Sequence, residues 1–247
     1  MTTSCPVCDA AMTEFDTALV LEKYETLYHR CPDCGLVAAR DTPWLEEAYE
    51  SAIHDEDAGL LRRARRYQRL AGVVIGLEHL RGGRFLDWAG GYGVFTQLMR
   101  EKGYDFWQFD PYAKPVFARG FIDEAEDSAY DMITAFEVLE HLQDPRNELA
   151  GLAKRADRFM FTTETLPSSP PPKIADWWYY MPAVGQHITF HTTDSLGRLA
   201  AALGYEFVTN GSNWHMFHRG PLKPGTRAVM QGAGHARTLR NKLRRIG

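Results

Sequence analysis

Short apolar runs alternate with helical stripes from Arg84 onward. RFLDW, DFWQFD, YDMITAFEV and RFMFTTE read as strands, while VFTQLMREKG and NELAGLAKRA carry helical spacing between them. That alternation predicts a parallel sheet with crossover helices, the α/β class. SLGRLAAALG predicts a helix closed by Gly204, with YEFVTN and NWHMFHR as a final antiparallel pair. Upstream, Leu60, Leu61, Ala64, Tyr67, Leu70, Ala71 and Val74 recur at helical spacing in a connector that also takes in TPWLEEAYESA and ends at Arg81-Gly82-Gly83. Residues 1–40 show short strand-like pieces such as YETLYHR. SSPPPK is a loop, and no repeat or low-complexity tract is present. The pattern divides the chain into a small module over 1–40, a helical connector over 41–83, an α/β domain over 84–222 and a basic tail over 223–247.

At 247 residues the chain is long enough for one α/β domain plus an appendage. Lys and Arg total 28 against 32 for Asp and Glu, a net charge of -4, which argues against a partner made mostly of phosphate such as nucleic acid. The terminal segment HARTLRNKLRRIG is basic and reads as a solvated helix more readily than as an anionic-surface contact. No stretch approaches the roughly 18 apolar residues of a membrane span, and MTTSCPVCDA has no signal-peptide core, so the expectation is a cytoplasmic protein.

Cys5 and Cys8 sit in CPVC, Cys31 and Cys34 in CPDC. Two such knuckles supply the four soft ligands of a tetrahedral zinc site, which marks residues 1–40 as a zinc-binding ribbon. A module of this size has too little core to fold unaided, so metal binding would serve as its folding energy. Four thiolates leave no open position, and the Zn2+ is therefore structural. A redox CxxC pair is the competing reading. The ribbon is free to cover the substrate or to dock a protein partner.

FLDWAGGYGVF raises the question of the nucleotide. Gly91 and Gly93 fit the first two places of a dinucleotide fingerprint, but Thr96 stands where its third glycine belongs. Asp87 lies just before the turn, where a carboxylate repels a pyrophosphate and attracts the ammonium and sulfonium of S-adenosylmethionine. Asp110 ends the next strand, about 20 residues on, where a carboxylate accepts from ribose hydroxyls, and Pro111 stops that strand. An ordinary tight turn, with Asp110 as an N-cap, is the alternative.

FLDWAGGYGVF, FDPY and ITAFEVLEHLQDP in series resemble the successive motifs of class I S-adenosylmethionine-dependent methyltransferases, over about residues 60–218. The resemblance implies a doubly wound, Rossmann-like methyltransferase sheet carrying a small N-terminal zinc ribbon. By it, Asp87, Gly91 and Gly93 hold the methionine end, Asp110 the ribose, and Phe136 with Glu137 the fourth-strand side. Ala89 departs from the family's glycine and puts a methyl group near the cofactor.

The loop after FTTE runs TLPSSPPPKIADWWYYMPAVGQHITFHTTDSL. Its four consecutive aromatics cannot all enter one core, so some line a pocket or form a lid. The segment resembles one in bacterial methyltransferases with an N-terminal zinc ribbon, which implies a small-molecule or sugar substrate. A neighbouring group methylates carbon on nucleotide-linked deoxysugars, but its members carry a further C-terminal domain. Methyl transfer to a hydroxyl or carbon acid needs a base. His187 in GQH is the first candidate, with a plain loop hydrogen bond as its alternative; His141, Glu164 and Tyr180 follow. Arg62, Arg63, Arg65 and Arg66 read as a solvated face, or as a grip on a cofactor carboxylate or substrate phosphate. Two further functions stay open: an RNA methyltransferase that clamps with the ribbon and the tail, and a cofactor-binding scaffold without turnover.

Overall fold

The chain enters through an antiparallel hairpin of β1 (Thr13–Val20) and β2 (Tyr24–Arg30), with a bulge between Glu14 and Asp16. β3 (Val37–Ala39) continues this sheet and is buried at all three residues. A buried strand needs a partner on its open edge. That partner is Thr189–Phe190, from the loop after FTTE, which pairs Val37 with Phe190 and Ala38 with Thr189. The sheet of the N-terminal module thus includes residues well outside 1–40, and apolar alternation within a two-residue strand was too short to announce it. The computed structural model describes residues 3–49, 59–124 and 128–232. HARTLRNKLRRIG and residues 50–58 of the connector lie outside them.

α1 (Leu45–Tyr49) is a short turn of helix, and α2 (Leu60–Leu77) is the long connector helix. Ala64, Tyr67, Ala71, Val74 and Ile75 form its buried stripe. His79, at φ +59°, ends it.

The second sheet holds β4 (Arg84–Trp88), β5 (Asp105–Phe109), β6 (Met132–Phe136) and β7 (Arg158–Thr162), with α3 (Val94–Glu101) and α4 (Pro145–Leu152) as crossovers. Thr189–Phe190 is β8; α5 (Thr193–Ala202), β9 (Glu206–Thr209), β10 (Trp214–His218) and α6 (Thr226–Gly232) complete the chain. Strand order is β5-β4-β6-β7-β10-β9. The first four strands are parallel, and β10 runs antiparallel to both its neighbours. Adjacent Phe85 and Leu86 are both fully buried because β4 is covered on both faces. Phe85 faces Ala71, Val74 and Met99 of α2 and α3, whereas Leu86 faces the α4 and α5 side with Leu149 and Leu196. This is a doubly wound α/β fold, as expected. The chain leaves β4 for β5 on one side and returns to β6 on the other, so a crevice opens at the carboxyl ends of β4 and β6.

Candidate cofactor and acceptor cleft

β4 ends in Asp87, which is 3% exposed. Its carboxylate accepts from Thr134 Oγ1 at 2.9 Å and Thr96 Oγ1 at 3.2 Å, with no cationic side chain among these partners. Burial, and secondarily the charge of Asp110, push its pKa up to about 7. The turn beyond it is left-handed at Ala89 (φ +56°), Gly91 (+58°) and Gly93 (+81°), which delivers the chain into α3. A Cβ on Gly90 would stand 2.7 Å from Asp87 Oδ2, so that glycine keeps open the space over the acid. A Cβ on Gly93 would meet the Phe117 carbonyl at 2.5 Å. Thr96, the residue that breaks the dinucleotide fingerprint, is the one that hydrogen-bonds Asp87.

Ala89 holds a conformation that costs a residue with a Cβ about 1–2 kcal/mol. Ala89→Gly relieves it and also frees the unfolded chain, so the expected net gain is about 0.5–1 kcal/mol, a small rise in melting temperature measured by calorimetry. Cofactor affinity should be equal or better.

Asp110 is braced rather than free. Oδ2 accepts from the Gly91 amide at 2.8 Å, and Oδ1 from the amides of Tyr112 (2.9 Å) and Ala113 (2.7 Å). A carboxylate has about four acceptor sites, so about one remains for a ribose hydroxyl. The turn reading thus holds at this side chain, with one acceptor position left over. Pro111 lines the same cleft. Across the crevice, Phe136 stacks on Tyr67 with centroids 4.5 Å apart, and Glu137, at φ +58°, accepts from Tyr67 (3.0 Å) and Thr162 (2.6 Å).

The base candidates do not all reach the cleft. His187 lines it, half-buried, with Nδ1 bonded to the Tyr179 carbonyl at 2.7 Å. That bond places the proton on Nδ1 and leaves the Nε2 lone pair unprotonated. Burial lowers its pKa from the ordinary 6.5. His141 lies edge-on to it, centroids 5.0 Å apart; Nδ1 meets the Tyr49 hydroxyl at 3.0 Å and the ring also bonds the Gln186 backbone. Burial and then His187 depress it to about 3. Glu164 lines the cleft and accepts from Asn213 at 2.9 Å. Tyr180 is placed elsewhere: fully buried, it packs on Tyr28 and Phe190 and donates to the Pro172 carbonyl. Its two-residue offset from Trp178 in a tight turn sends it to the N-terminal sheet. Trp178, by contrast, is 63% exposed on the cleft wall, and Tyr179 is buried behind it, so the four aromatics do divide between core and pocket.

Sequence reasoning missed Glu140. It is fully buried, accepts a short hydrogen bond from Tyr179, and has Oε2 without a partner among the described residues. Burial, then the charge of Glu137, raise its pKa to about 8. The signal was an acid inside the apolar run EVLEH. Ligand atoms of Glu140, His141 and His187 lie within 4.8 Å of one another. His141 has its ring nitrogens committed to Tyr49 and Gln186, however, so the trio reads as a proton-holding cluster. Tyr49, stacked on Tyr112 at 4.7 Å, was also missed, because a five-residue helix carries no stripe.

The four cysteines form a second cluster. Cys5 and Cys34 sulfurs are 3.6 Å apart and Cys8 and Cys31 sulfurs 3.5 Å. Tetrahedral ligands at the usual Zn–S length stand about 3.8 Å apart, so the donor set and its spacing fit zinc.

An acid-floored crevice at the switch point of a doubly wound sheet stands where open α/β folds bind their ligands. Residues 60–210 match the family model described as a methyltransferase domain, and the chain belongs to that family. Solved structures of similar fold include an O-methyltransferase family protein from Burkholderia thailandensis, at 16% identity with 72% of this chain and 67% of that one covered (TM-score 0.45). Magnesium protoporphyrin IX methyltransferase from Synechocystis PCC 6803, with bound SAH, shows 14% identity over 72% and 96% (0.43). The N-terminal domain of EvdMO1, determined in the presence of SAH and D-fucose, shows 14% over 69% and 99% (0.47). No curated protein matches the chain. Among the described residues, no helix is long and apolar enough to cross a membrane.

Proposed function

We propose that this methyltransferase carries the methyl group of S-adenosylmethionine to a hydroxyl of a small-molecule or sugar acceptor. The observation that supports it best is Asp87: a buried acid whose hydroxyl partners leave its charge uncompensated, under a space that Gly90 keeps clear. A dinucleotide would bring a second negative charge there. Asp87, Ala89, Gly91 and Gly93 hold the methionine end, Asp110 and Pro111 the ribose side, and Phe136 and Glu137 the opposite wall. The cofactor supplies an electrophilic methyl on a leaving group that departs neutral.

The chain's own part is to aim the acceptor and take its proton. His187 Nε2 is the base, held in that tautomer by the Tyr179 carbonyl. His141 and Glu164 line the acceptor side; Tyr180 has no part in it. Glu140, held protonated at neutral pH, fixes Tyr179 and through it the His187 tautomer. Cys5, Cys8, Cys31 and Cys34 hold a structural zinc.

His187→Ala is expected to lower turnover by about 100- to 10,000-fold with cofactor affinity kept, as read by release of S-adenosylhomocysteine and by calorimetry. Unchanged turnover removes His187 from the role. The two acid limbs should also separate. Asp87 must be ionised to bind a cation, so cofactor affinity falls about tenfold per pH unit below about 7. His187 stays neutral to lower pH, so turnover at saturating cofactor declines only below 6.5.

A further inference from the structure

The first turns of α2 carry Arg62, Arg63, Arg65, Arg66 and Arg69 with no acid among residues 60–69. Like charges three and four residues apart on a helix repel, and cations at its amino end oppose the helix dipole. Among the described residues, Arg62, Arg65, Arg66 and Arg69 form no ion pair. All five line the same cleft as Asp87 and His187. Arg66 is half-buried, its guanidinium 5.6 Å from the Trp214 ring centroid, which aims it along the wall rather than into bulk water.

One cofactor brings a single carboxylate, which one arginine fork satisfies. Arg62, Arg65 and Arg69 are exposed along the cleft, where a second anion can meet them. The exposed ring of Trp178 lines the same cleft and offers a flat surface for stacking.

The geometry points to an acceptor that carries a phosphate or diphosphate group, seated on the arginine face of α2 while its hydroxyl reaches His187. This rests on the methyl-transfer reading and narrows its acceptor to organic phosphates. Arginine forks match phosphate oxygens two at a time.

The test is calorimetric titration of the zinc-loaded protein, saturated with S-adenosylhomocysteine, against inorganic pyrophosphate, uridine diphosphate and bulk transfer RNA. Pyrophosphate should bind, and Arg62→Gln/Arg65→Gln should weaken it at least tenfold in protein kept saturated with S-adenosylhomocysteine. Arg66→Gln, which gives up the contact with Trp214, is a separate second variant and should weaken pyrophosphate binding as well. Uridine diphosphate binding at least tenfold tighter than pyrophosphate supports a nucleotide-linked acceptor; equal affinity supports a phosphorylated one without a base. Absence of binding by both, or pyrophosphate binding indifferent to the arginines, overturns the inference while S-adenosylhomocysteine binding still upholds methyl transfer. Transfer RNA binding that displaces pyrophosphate and collapses with salt overturns it in favour of nucleic acid. Failure to bind S-adenosylhomocysteine overturns the parent reading and this inference with it.

Discussion

Asp87→Asn is expected to lose at least about a hundredfold in affinity for S-adenosylmethionine and, at the same time, to melt higher than the parent protein at pH 8. Both effects come from one carboxylate. Removing a buried charge that faces a cationic ligand costs about 2–5 kcal/mol of binding. In the free protein the same charge is a liability, since the folded-state pKa of about 7 lies above the ordinary 3.8. A group shifted that way contributes stability fully present below 3.8 and lost as pH rises through about 7. Asparagine never ionises, so the variant's advantage in melting temperature is largest above pH 7 and shrinks toward pH 4. Adding the cofactor reverses the order, because only the parent gains from it. A variant that loses affinity and stability together would make Asp87 an ordinary structural acid. The readouts are calorimetric affinity and melting curves at pH 5 and pH 8.

Removing the zinc proposed at the four cysteines should abolish turnover and leave cofactor binding nearly intact. The N-terminal sheet is wired to the loop that carries His187. The Ala39 amide donates to the Ile188 carbonyl at 2.9 Å, the Ile188 amide to the Glu140 carbonyl at 2.9 Å, and Trp44 Nε1 to the Gly185 carbonyl at 2.8 Å. Thr192 Oγ1 reaches the Cys34 carbonyl at 2.6 Å, and Gln186 Nε2 the Ala48 carbonyl at 2.7 Å. These bonds bracket His187 on both sides. Asp87, Gly91 and Asp110 belong to the other sheet and its turns. A small metal-dependent module loses its fold with its metal. Chelation or Cys31→Ser should therefore lower the first melting transition, open residues 180–190 to protease, and cut turnover by at least about a hundredfold. Elemental analysis should find one zinc per chain before chelation. Chelation without effect on the loop or the rate would separate the cysteines from the acceptor site.

The sheet was legible in the sequence because its strands are buried on both faces and read as apolar runs, RFLDW and RFMFT among them. The turn after β4 was legible because left-handed backbone leaves its mark as glycine. What escaped had no periodic signature. β8 is two residues long, and its pairing with β3 joins segments about 150 residues apart in the chain, a distance no local pattern spans. Glu140 follows Val138 and Leu139 with no periodic signal of its own, and only its burial beside Tyr179 reveals an acid held neutral. Tyr180 and Trp178 are indistinguishable in sequence; a turn of 3-10 helix sends one to the core and the other to the cleft. The arginines were visible from the outset, but whether they met solvent or cleft depended on how α2 packs against α3.

The most direct test is side-by-side calorimetric titration of the protein with S-adenosylmethionine and with nicotinamide adenine dinucleotide at pH 8. The account predicts one S-adenosylmethionine bound per chain at micromolar affinity and no detectable dinucleotide binding. Tight dinucleotide binding with none of the sulfonium compound would contradict it.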